Sequence, residues 1–328
     1  MRPLAEPDDL ARRLVAGDRR ALAQAITLAE STRPDHRARA ETLLERLLPE
    51  TGRAIRLGIS GAPGVGKSSL IEALGRFLVE RGRRLAVLAV DPSSSLSGGS
   101  ILGDKTRMET LSRSESAFIR PQPSAGTLGG VARRTREALL LCEAAGFDMV
   151  IVETVGVGQS ETAVADMVDL FCLLLQPAGG DELQGLKKGI VERAELVAVT
   201  KCDGETAAAA GRAVAEYRTA LHYLRPLSPD WVPEVHACSS VTGEGLDTLW
   251  DAVTRHRQAL ERSGALQARR ARQNEAALWA DLNAALLDAA RARPGMAPEI
   301  AAIEQAVREA GTTPAAGARR LLALFLGG

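Results

Sequence analysis

Residues 61–68 place glycine, lysine and serine at the spacing G-x-x-x-x-G-K-[ST], which is typical of loops that bind phosphate chains. Glycines let the backbone N–H groups of such a loop turn toward the phosphates, and the following helix adds the positive end of its dipole. We expect Lys67 to reach the terminal phosphates and the Ser68 hydroxyl to hold Mg²⁺. The predicted nucleotide contacts are Gly61, Ala62, Pro63, Gly64, Val65, Gly66, Lys67, Ser68 and Ser69.

Carboxylates that fix Mg²⁺ and orient water are the second requirement of phosphoryl transfer. Asp91 and Glu153 each stand at the end of an apolar run, and Asp104 lies in a Gly-rich stretch. Acids in such positions can also simply cap the turn after a strand. Beside a phosphate loop we interpret Asp91 and Glu153 as catalytic and metal-binding residues, and for Asp104 both interpretations stay open.

Residues 153–156, Glu-Thr-Val-Gly, resemble the D-x-x-G element of GTPases, with Glu in place of Asp. We expect the Gly156 N–H to bind the γ-phosphate and to sense its loss. Gln159 is a candidate for orienting the attacking water, and a solvated surface position is the alternative. Arg107 is the nearest candidate for an arginine supplied in cis, but nothing in the sequence directs it to the γ-phosphate.

Residues 200–203, Thr-Lys-Cys-Asp, follow a buried apolar run and resemble the N-K-x-D element that reads guanine. The Asp203 carboxylate can accept from guanine N1–H and from the exocyclic amine, a donor pair that adenine lacks. We expect the stem of Lys201 to lie along the base. Thr200 retains a hydrogen-bonding group at its position but loses the amide of Asn.

The Ser/Gly-rich segment 238–243 follows the last apolar run. Its backbone is a candidate donor to guanine O6 at Ser239, Ser240 and Val241, and an ordinary helix start is the alternative. Together with the phosphate loop, these residues predict a nucleoside-triphosphate hydrolase that prefers GTP.

Seven short apolar runs, nearly continuous rather than alternating, predict strands that are buried on both faces. They cover residues 54–60, 84–90, 116–121, 148–153, 169–175, 195–200 and 234–239. Helix-forming stretches lie between them, so the chain is predicted to be an α/β P-loop NTPase with a mostly parallel, helix-covered sheet. Ligands of such sheets bind beyond the carboxyl ends of the strands, where the phosphate loop and the acids lie.

Helical patterns flank the predicted sheet on both sides. Residues 1–50 are predicted to form a helical segment that packs on the main domain, and residues 51–255 the P-loop GTPase domain. Beyond Gly245, the leucine spacing predicts one long amphipathic helix, stopped by Pro294 and Gly295, and then shorter helices near 297–310 and 314–326. We favour a dimerisation role for residues 256–328, and folding of the long helix back onto its own sheet is the alternative.

Composition narrows the function classes. The 328 residues are 45% hydrophobic and 25% charged, and 41 basic residues balance 41 acidic ones, which argues against a strongly basic nucleic-acid binder. Four cysteines without C-x-x-C spacing favour reduced thiols in the cytoplasm. The first residues lack the pattern of a signal peptide, and no apolar run reaches the length of a membrane span.

Four long blocks resemble the MeaB/ArgK family of SIMIBI-class P-loop GTPases, and the similarity extends over about residues 15–290. The blocks are GISGAPGVGKSSLIEALG, VLAVDPSSSLSGGSILGDKTRM, FDMVIVETVGVGQSE and PAGGDELQGLKKGI. Glu153 is typical of this branch, whereas Thr200 departs from the usual Asn.

The resemblance implies a homodimeric, slow GTPase that uses Mg²⁺. It also implies a partner, an adenosylcobalamin-dependent acyl-CoA mutase such as methylmalonyl-CoA mutase, whose cofactor loading the GTPase gates and which it protects from inactivation. Asp91, Asp104 and Glu153 would lie at the nucleotide and the metal. Segment 179–188 would be an additional switch loop facing the mutase, with candidate residues Asp181, Glu182, Gln184, Lys187 and Lys188.

Two other functions stay open. A metal-delivery GTPase of the same class usually carries His-rich or paired-Cys segments, and the four histidines here are not adjacent to one another. A kinase-like ATPase linked to amino-acid transport would need ATP, which Asp203 disfavours.

Overall fold

A parallel β-sheet forms the centre of the computed structural model, which describes residues 6–90, 108–122, 128–154, 160–177, 188–222 and 226–327. Within these ranges the sheet has seven strands in the order β3-β2-β4-β1-β5-β6-β7, and all neighbouring strands are parallel. The strands are β1 Ile55–Gly61, β2 Leu85–Val90, β3 Ala117–Gln122, β4 Met149–Thr154, β5 Leu170–Leu175, β6 Leu196–Val199 and β7 Glu234–Ala237. The predicted parallel α/β fold is confirmed, with strand ends shifted by no more than two residues.

Helices connect and cover these strands. The α-helices of the described ranges are α1 Pro7–Val15, α2 Arg19–Glu30, α3 Pro34–Leu47, α4 Lys67–Val79, α5 Glu109–Arg113, α6 Leu128–Ala144, α7 Ser160–Ala165, α8 Lys188–Val191, α9 Ala207–His222, α10 Leu246–Ser263, α11 Ala265–Ala292, α12 Met296–Arg308 and α13 Pro314–Leu326. None of these helices is both long and apolar enough to cross a membrane.

Each face of the sheet has its own apolar layer, because successive residues of a strand point to opposite faces. In β2, Ala86 and Leu88 belong to the apolar layer that includes buried residues of α1–α3, α6 and α9, whereas Leu85 and Val87 belong to the layer that includes buried residues of α4 and α10. All six residues of β2 are buried, as the continuous apolar run predicted.

The prediction of a single long helix after Gly245 is wrong, because the structure has two helices there. Helix α10 ends at Ser263, and Gly264 adopts a left-handed conformation with φ +75° before α11 begins. Glycine takes this conformation without the steric cost that a Cβ imposes, so Gly264 separates two helices that the leucine spacing had joined.

The amino ends of β5 and β6 carry buried carboxylates. Asp169 precedes β5 and accepts hydrogen bonds from Arg270 Nε at 2.8 Å and from Arg270 Nη2 at 2.6 Å. Glu195 precedes β6 and accepts from Arg269 at 2.6 and 2.7 Å. These contacts bind the first turns of α11 to the edge of the sheet opposite the carboxyl ends of the strands.

The described chain divides into two compact units, one extending to Gln273 and the other beginning at Asn274. In the second unit α12 packs on α13 at Gly317, where an added Cβ would lie 3.0 Å from Ile303 Cγ2. The predicted boundaries at 50/51 and 255/256 stay predictions.

Candidate nucleotide-binding site

The loop between β1 and α4 is shaped by glycine. A Cβ at Gly61 would lie 2.6 Å from the Leu174 carbonyl oxygen, so only glycine lets the loop pass this close to β5. Gly64 and Gly66 have φ of +80° and +100°, the left-handed region that glycine adopts at low cost. Gly66 directly precedes the first residue of α4. The N–H groups at this helix start therefore face the loop that the sequence predicts to hold phosphates.

Lys67 lies folded over this loop. Its side chain is buried, and Nζ donates to the carbonyl oxygens of Gly61 at 2.7 Å and Ala62 at 3.1 Å. A cation held over the mouth of a phosphate loop is placed to meet the charge of a phosphate chain. This position agrees with the role predicted for Lys67, which remains a proposal.

The carboxylate at the end of β4 meets the start of α4. The Ser68 hydroxyl donates to Glu153 Oε1 at 3.2 Å, and only 7% of the Glu153 surface is exposed. In the sheet Glu153 pairs with Ile59 of β1 and Ala89 of β2, which places it centrally at the carboxyl edge. A hydroxyl and a carboxylate are oxygen ligands of the kind Mg²⁺ prefers, so the pair fits the predicted metal.

The base-reading segment begins at the end of β6. The Thr200 hydroxyl donates to the Val65 carbonyl at 2.6 Å, and Lys201 Nζ donates to the Gly64 carbonyl at 2.8 Å. Lys201 has φ +56°, a left-handed conformation that is uncommon for a residue with a Cβ. The predicted base-reading segment is thus hydrogen-bonded directly to the phosphate loop.

The Asp203 carboxylate is oriented by the segment after β7. The Ser239 hydroxyl donates to Asp203 Oδ2 and accepts from the backbone N–H groups of Val241 and Thr242, each at 3.1 Å. Ser239 is fully buried. The Val241 N–H that was predicted as a candidate base contact therefore donates within the segment, and Ser240 has no comparable contact among those described.

Two interactions at this edge were not anticipated from the sequence. The Thr206 hydroxyl donates to the carbonyl oxygens of Lys201 and Asp203, the latter at 2.7 Å. A Thr three residues after Asp203 is a local turn signal that could have indicated this contact. The Thr154 hydroxyl donates to Ser60 Oγ at 2.8 Å and ties β4 to β1, a pairing of distant residues with no local signal.

Other predicted site residues lie outside the described parts of the chain. They are Asp91, Asp104, Arg107, Gly156, Gln159, Asp181, Glu182, Gln184 and Lys187. Lys188 begins helix α8, but its side chain is not described, and Ser69 lies exposed in the first turn of α4. The roles predicted for these residues stay predictions.

A phosphate loop at a helix start and a base-reading segment bonded to it, on the carboxyl edge of a parallel sheet, define a P-loop GTPase. The sequence profile described as "Methylmalonyl Co-A mutase-associated GTPase MeaB" matches residues 22–295. The chain belongs to this family, as the sequence blocks predicted.

Known relatives agree with this assignment. A GTPase of Caulobacter vibrioides is 58% identical over 325 residues, which is 99% of each chain. The mouse protein named methylmalonic aciduria type A homolog, mitochondrial, is 48% identical over 328 residues, covering 97% of this chain and 79% of its own. A crystal structure titled LAO/AO transport system kinase superposes with a TM-score of 0.78 at 39% identity, covering 99% of both chains.

Proposed function

We propose that this protein is a GTP-dependent chaperone of an adenosylcobalamin-dependent acyl-CoA mutase, with methylmalonyl-CoA mutase as the first candidate. It would act in the cytoplasm, gate loading of the intact cofactor and protect the mutase from inactivation. The membership of the MeaB family, described as mutase-associated, carries the choice of partner. The name of the mouse relative points to the same metabolism.

Selectivity for guanine rests on Asp203 in this proposal. Ser239 holds one carboxylate oxygen of Asp203, which leaves the other to accept from guanine N1–H and the exocyclic amine. Replacing Asp203 by Asn would turn an acceptor into a donor, so Asp203→Asn is expected to favour xanthine over guanine nucleotides. If the variant kept the parent's preference between guanine and xanthine nucleotides, this assignment would be contradicted.

The phosphate end has its own division of labour. Lys67 would leave the Gly61 carbonyl and bind the terminal phosphates, while Ser68 and Glu153 would hold Mg²⁺, directly or through water. Bound Mg²⁺ neutralises charge that develops on the phosphates. Gln159 and Gly156 keep their proposed roles in orienting water and binding the γ-phosphate.

Intrinsic hydrolysis is expected to be slow. A stabilising arginine is worth roughly 10³–10⁵ in rate, and no feature of the sequence directs the candidate, Arg107, to the γ-phosphate. We propose that the mutase accelerates hydrolysis by contacting the predicted switch segment 179–188. GTP turnover measured with and without the mutase tests this, and equal rates would contradict partner-controlled activation.

Dimerisation is proposed through helix α11. Leu278, Leu282 and Leu286 recur every four residues and are 64%, 41% and 48% exposed, and Trp279 beside them is 58% exposed. A leucine stripe of this kind is apolar surface that association would remove from water. We propose that a second copy of the chain covers it.

The experiment that tests the central proposal is co-purification. The full-length protein is mixed with candidate cobalamin-dependent mutases under GDP and under a non-hydrolysable GTP analogue. A nucleotide-dependent complex with one mutase is the expected result. Lack of any complex under both nucleotides would contradict the chaperone role while leaving the GTPase activity intact.

The related structure named as a transport-system kinase supports one alternative function, a kinase-like ATPase. A kinase-like ATPase would bind ATP at least as tightly as GTP, so comparison of the two affinities separates the functions. Burial raises the pKa of the Cys238 thiol to about 12 and keeps it protonated, so this cysteine is a poor thiolate ligand for a metal.

A further inference from the structure

Thr200 occupies a junction between three elements of the nucleotide site. Its backbone N–H donates to the Leu175 carbonyl at the end of β5 at 2.9 Å. Its hydroxyl donates to the Val65 carbonyl in the phosphate loop at 2.6 Å and lies 3.3 Å from the Leu175 carbonyl. Only 1% of Thr200 is exposed, and Val65 is fully buried. The contact between Thr200 and Val65 is therefore a buried tie between residues that are 135 positions apart.

The hydroxyl of Thr200 has a single proton, and the two acceptors within hydrogen-bond distance, the carbonyl oxygens of Val65 and Leu175, both belong to the protein backbone. Purine N7 is an acceptor and needs a donor. With its proton directed to Val65, the Thr200 side chain has no hydrogen left for N7. An Asn at this position would carry two amide hydrogens, one for the loop and one for the base.

We infer that Thr200 is a positioning residue: it ties the base-reading segment to the phosphate loop and does not read the purine N7. The inference rests on the guanine site proposed above and replaces direct base contact by Thr200, the role predicted from the sequence, with an indirect one.

The neighbouring residue strengthens this inference. Lys201 Nζ donates to the Gly64 carbonyl at 2.8 Å, so two consecutive side chains hold two consecutive carbonyls of the phosphate loop. Lys201 is held in a left-handed backbone conformation beside this contact. Loss of the Thr200 hydroxyl would leave the buried Val65 carbonyl without this donor and loosen the junction, which affects nucleotides whatever their N7 chemistry.

The test measures dissociation constants of GDP and 7-deaza-GDP, which lacks the N7 acceptor, by calorimetry for the full-length protein. Four proteins are compared: the parent, Thr200→Val, Thr200→Ser and Thr200→Asn. Thr200→Val is expected to raise the dissociation constants of both nucleotides by the same factor, about three- to tenfold, which corresponds to the loss of one hydrogen bond. Thr200→Ser returns the hydroxyl and is expected to recover most of that loss.

The ratio of the two dissociation constants is the diagnostic, because a purely structural defect does not change it. We expect the same ratio in the parent and in Thr200→Val, and a preference for GDP of about three- to tenfold to arise only in Thr200→Asn. If the parent preferred GDP over 7-deaza-GDP and Thr200→Val abolished that preference, the inference would be overturned. Unchanged affinity of Thr200→Val for both nucleotides would also overturn it. If Thr200→Val does not fold, the comparison of this ratio between Thr200→Asn and the parent still tests the inference, because a preference for GDP is expected only in Thr200→Asn. Failure of the parent to bind GDP would instead contradict the proposed guanine site.

Discussion

The hydroxyl of Ser239 donates to the carboxylate of Asp203, although the two residues follow different strands. The same hydroxyl oxygen accepts from the backbone N–H groups of Val241 and Thr242 at 3.1 Å. One buried side chain thus fixes both the proposed base-reading carboxylate and the turn beside it.

Removing that hydroxyl should weaken guanine binding. Ser239→Ala frees the Asp203 carboxylate to rotate and removes a hydrogen bond to a charged group, which is worth about 1.5–3 kcal/mol. The dissociation constant for GDP is expected to rise by roughly ten- to a hundredfold. Thr219→Ala removes an exposed helix hydroxyl on α9 and is the matched control. Similar affinities of the Ser239 variant and the control would refute the positioning role.

Glu153→Gln should weaken the binding of Mg²⁺ at the nucleotide site. The variant keeps the size of the side chain beside Ser68 but removes the charge that a divalent cation needs. The Mg²⁺ concentration for half-maximal GTP hydrolysis is expected to rise by about 10–100-fold, the range for a lost metal-supporting group. Glu216→Gln on the exposed face of α9 provides the control. An unchanged Mg²⁺ titration would show that Glu153 only caps its turn.

Acid should destabilise the fold through the buried carboxylates at the amino edge of the sheet. Burial alone raises the pKa of the Asp169 carboxyl, but the hydrogen bond and charge of Arg270, with the charge of Arg56, outweigh it and hold that pKa below its ordinary value. Burial also raises the pKa of the Glu195 carboxyl, but the hydrogen bonds and charges of Arg269 and His256 outweigh it, so this pKa too lies below its ordinary value. Groups with a lowered folded-state pKa stabilise above the unfolded value, near 4, and that stability is lost as pH falls through the folded value.

Denaturant unfolding measured from pH 7 downward checks this expectation. Asp169→Asn leaves Arg270 without its carboxylate and is expected to cost about 3–5 kcal/mol at pH 7, with a shallower loss in acid. Asp166→Asn breaks an exposed pair with Arg193 and should change the free energy of unfolding by no more than about 1 kcal/mol. Equal effects of the two substitutions would contradict the proposed importance of the buried pair.

The leucine stripe of α11 should control the oligomeric state. Leu282→Glu puts a charge where the proposed dimer buries an apolar side chain, worth about 1.5–3 kcal/mol in each copy. Light scattering after gel filtration should show the mass of a dimer for the parent and of a monomer for the variant. Asn283→Glu adds the same charge at the exposed neighbouring position and should leave the dimer intact. A parent of monomeric mass would contradict the proposal.

Local sequence was sufficient for the phosphate loop and for the strands. The loop needs only left-handed glycines and a helix start, which adjacent residues supply, and continuous apolar runs such as 85–90 indicate burial on both faces. The carboxyl ends of parallel strands share one edge, so the order of elements already placed Glu153 and Asp203 at the edge that holds the loop.

Contacts between distant residues were decided by the tertiary structure alone. Thr200 meets Val65 across 135 positions, and Arg270 meets Asp169 across 101, and neither pairing has a local pattern that could reveal it. Gly264 fits a continued leucine spacing, and only its left-handed backbone shows that the helix ends there. The sequence by itself determined the chemistry available to this protein, because that depends on residue types and short-range spacing. The structure decided which side chain faces the nucleotide and which supports it, because a single proton or carboxylate oxygen is assigned only when its partners are brought together.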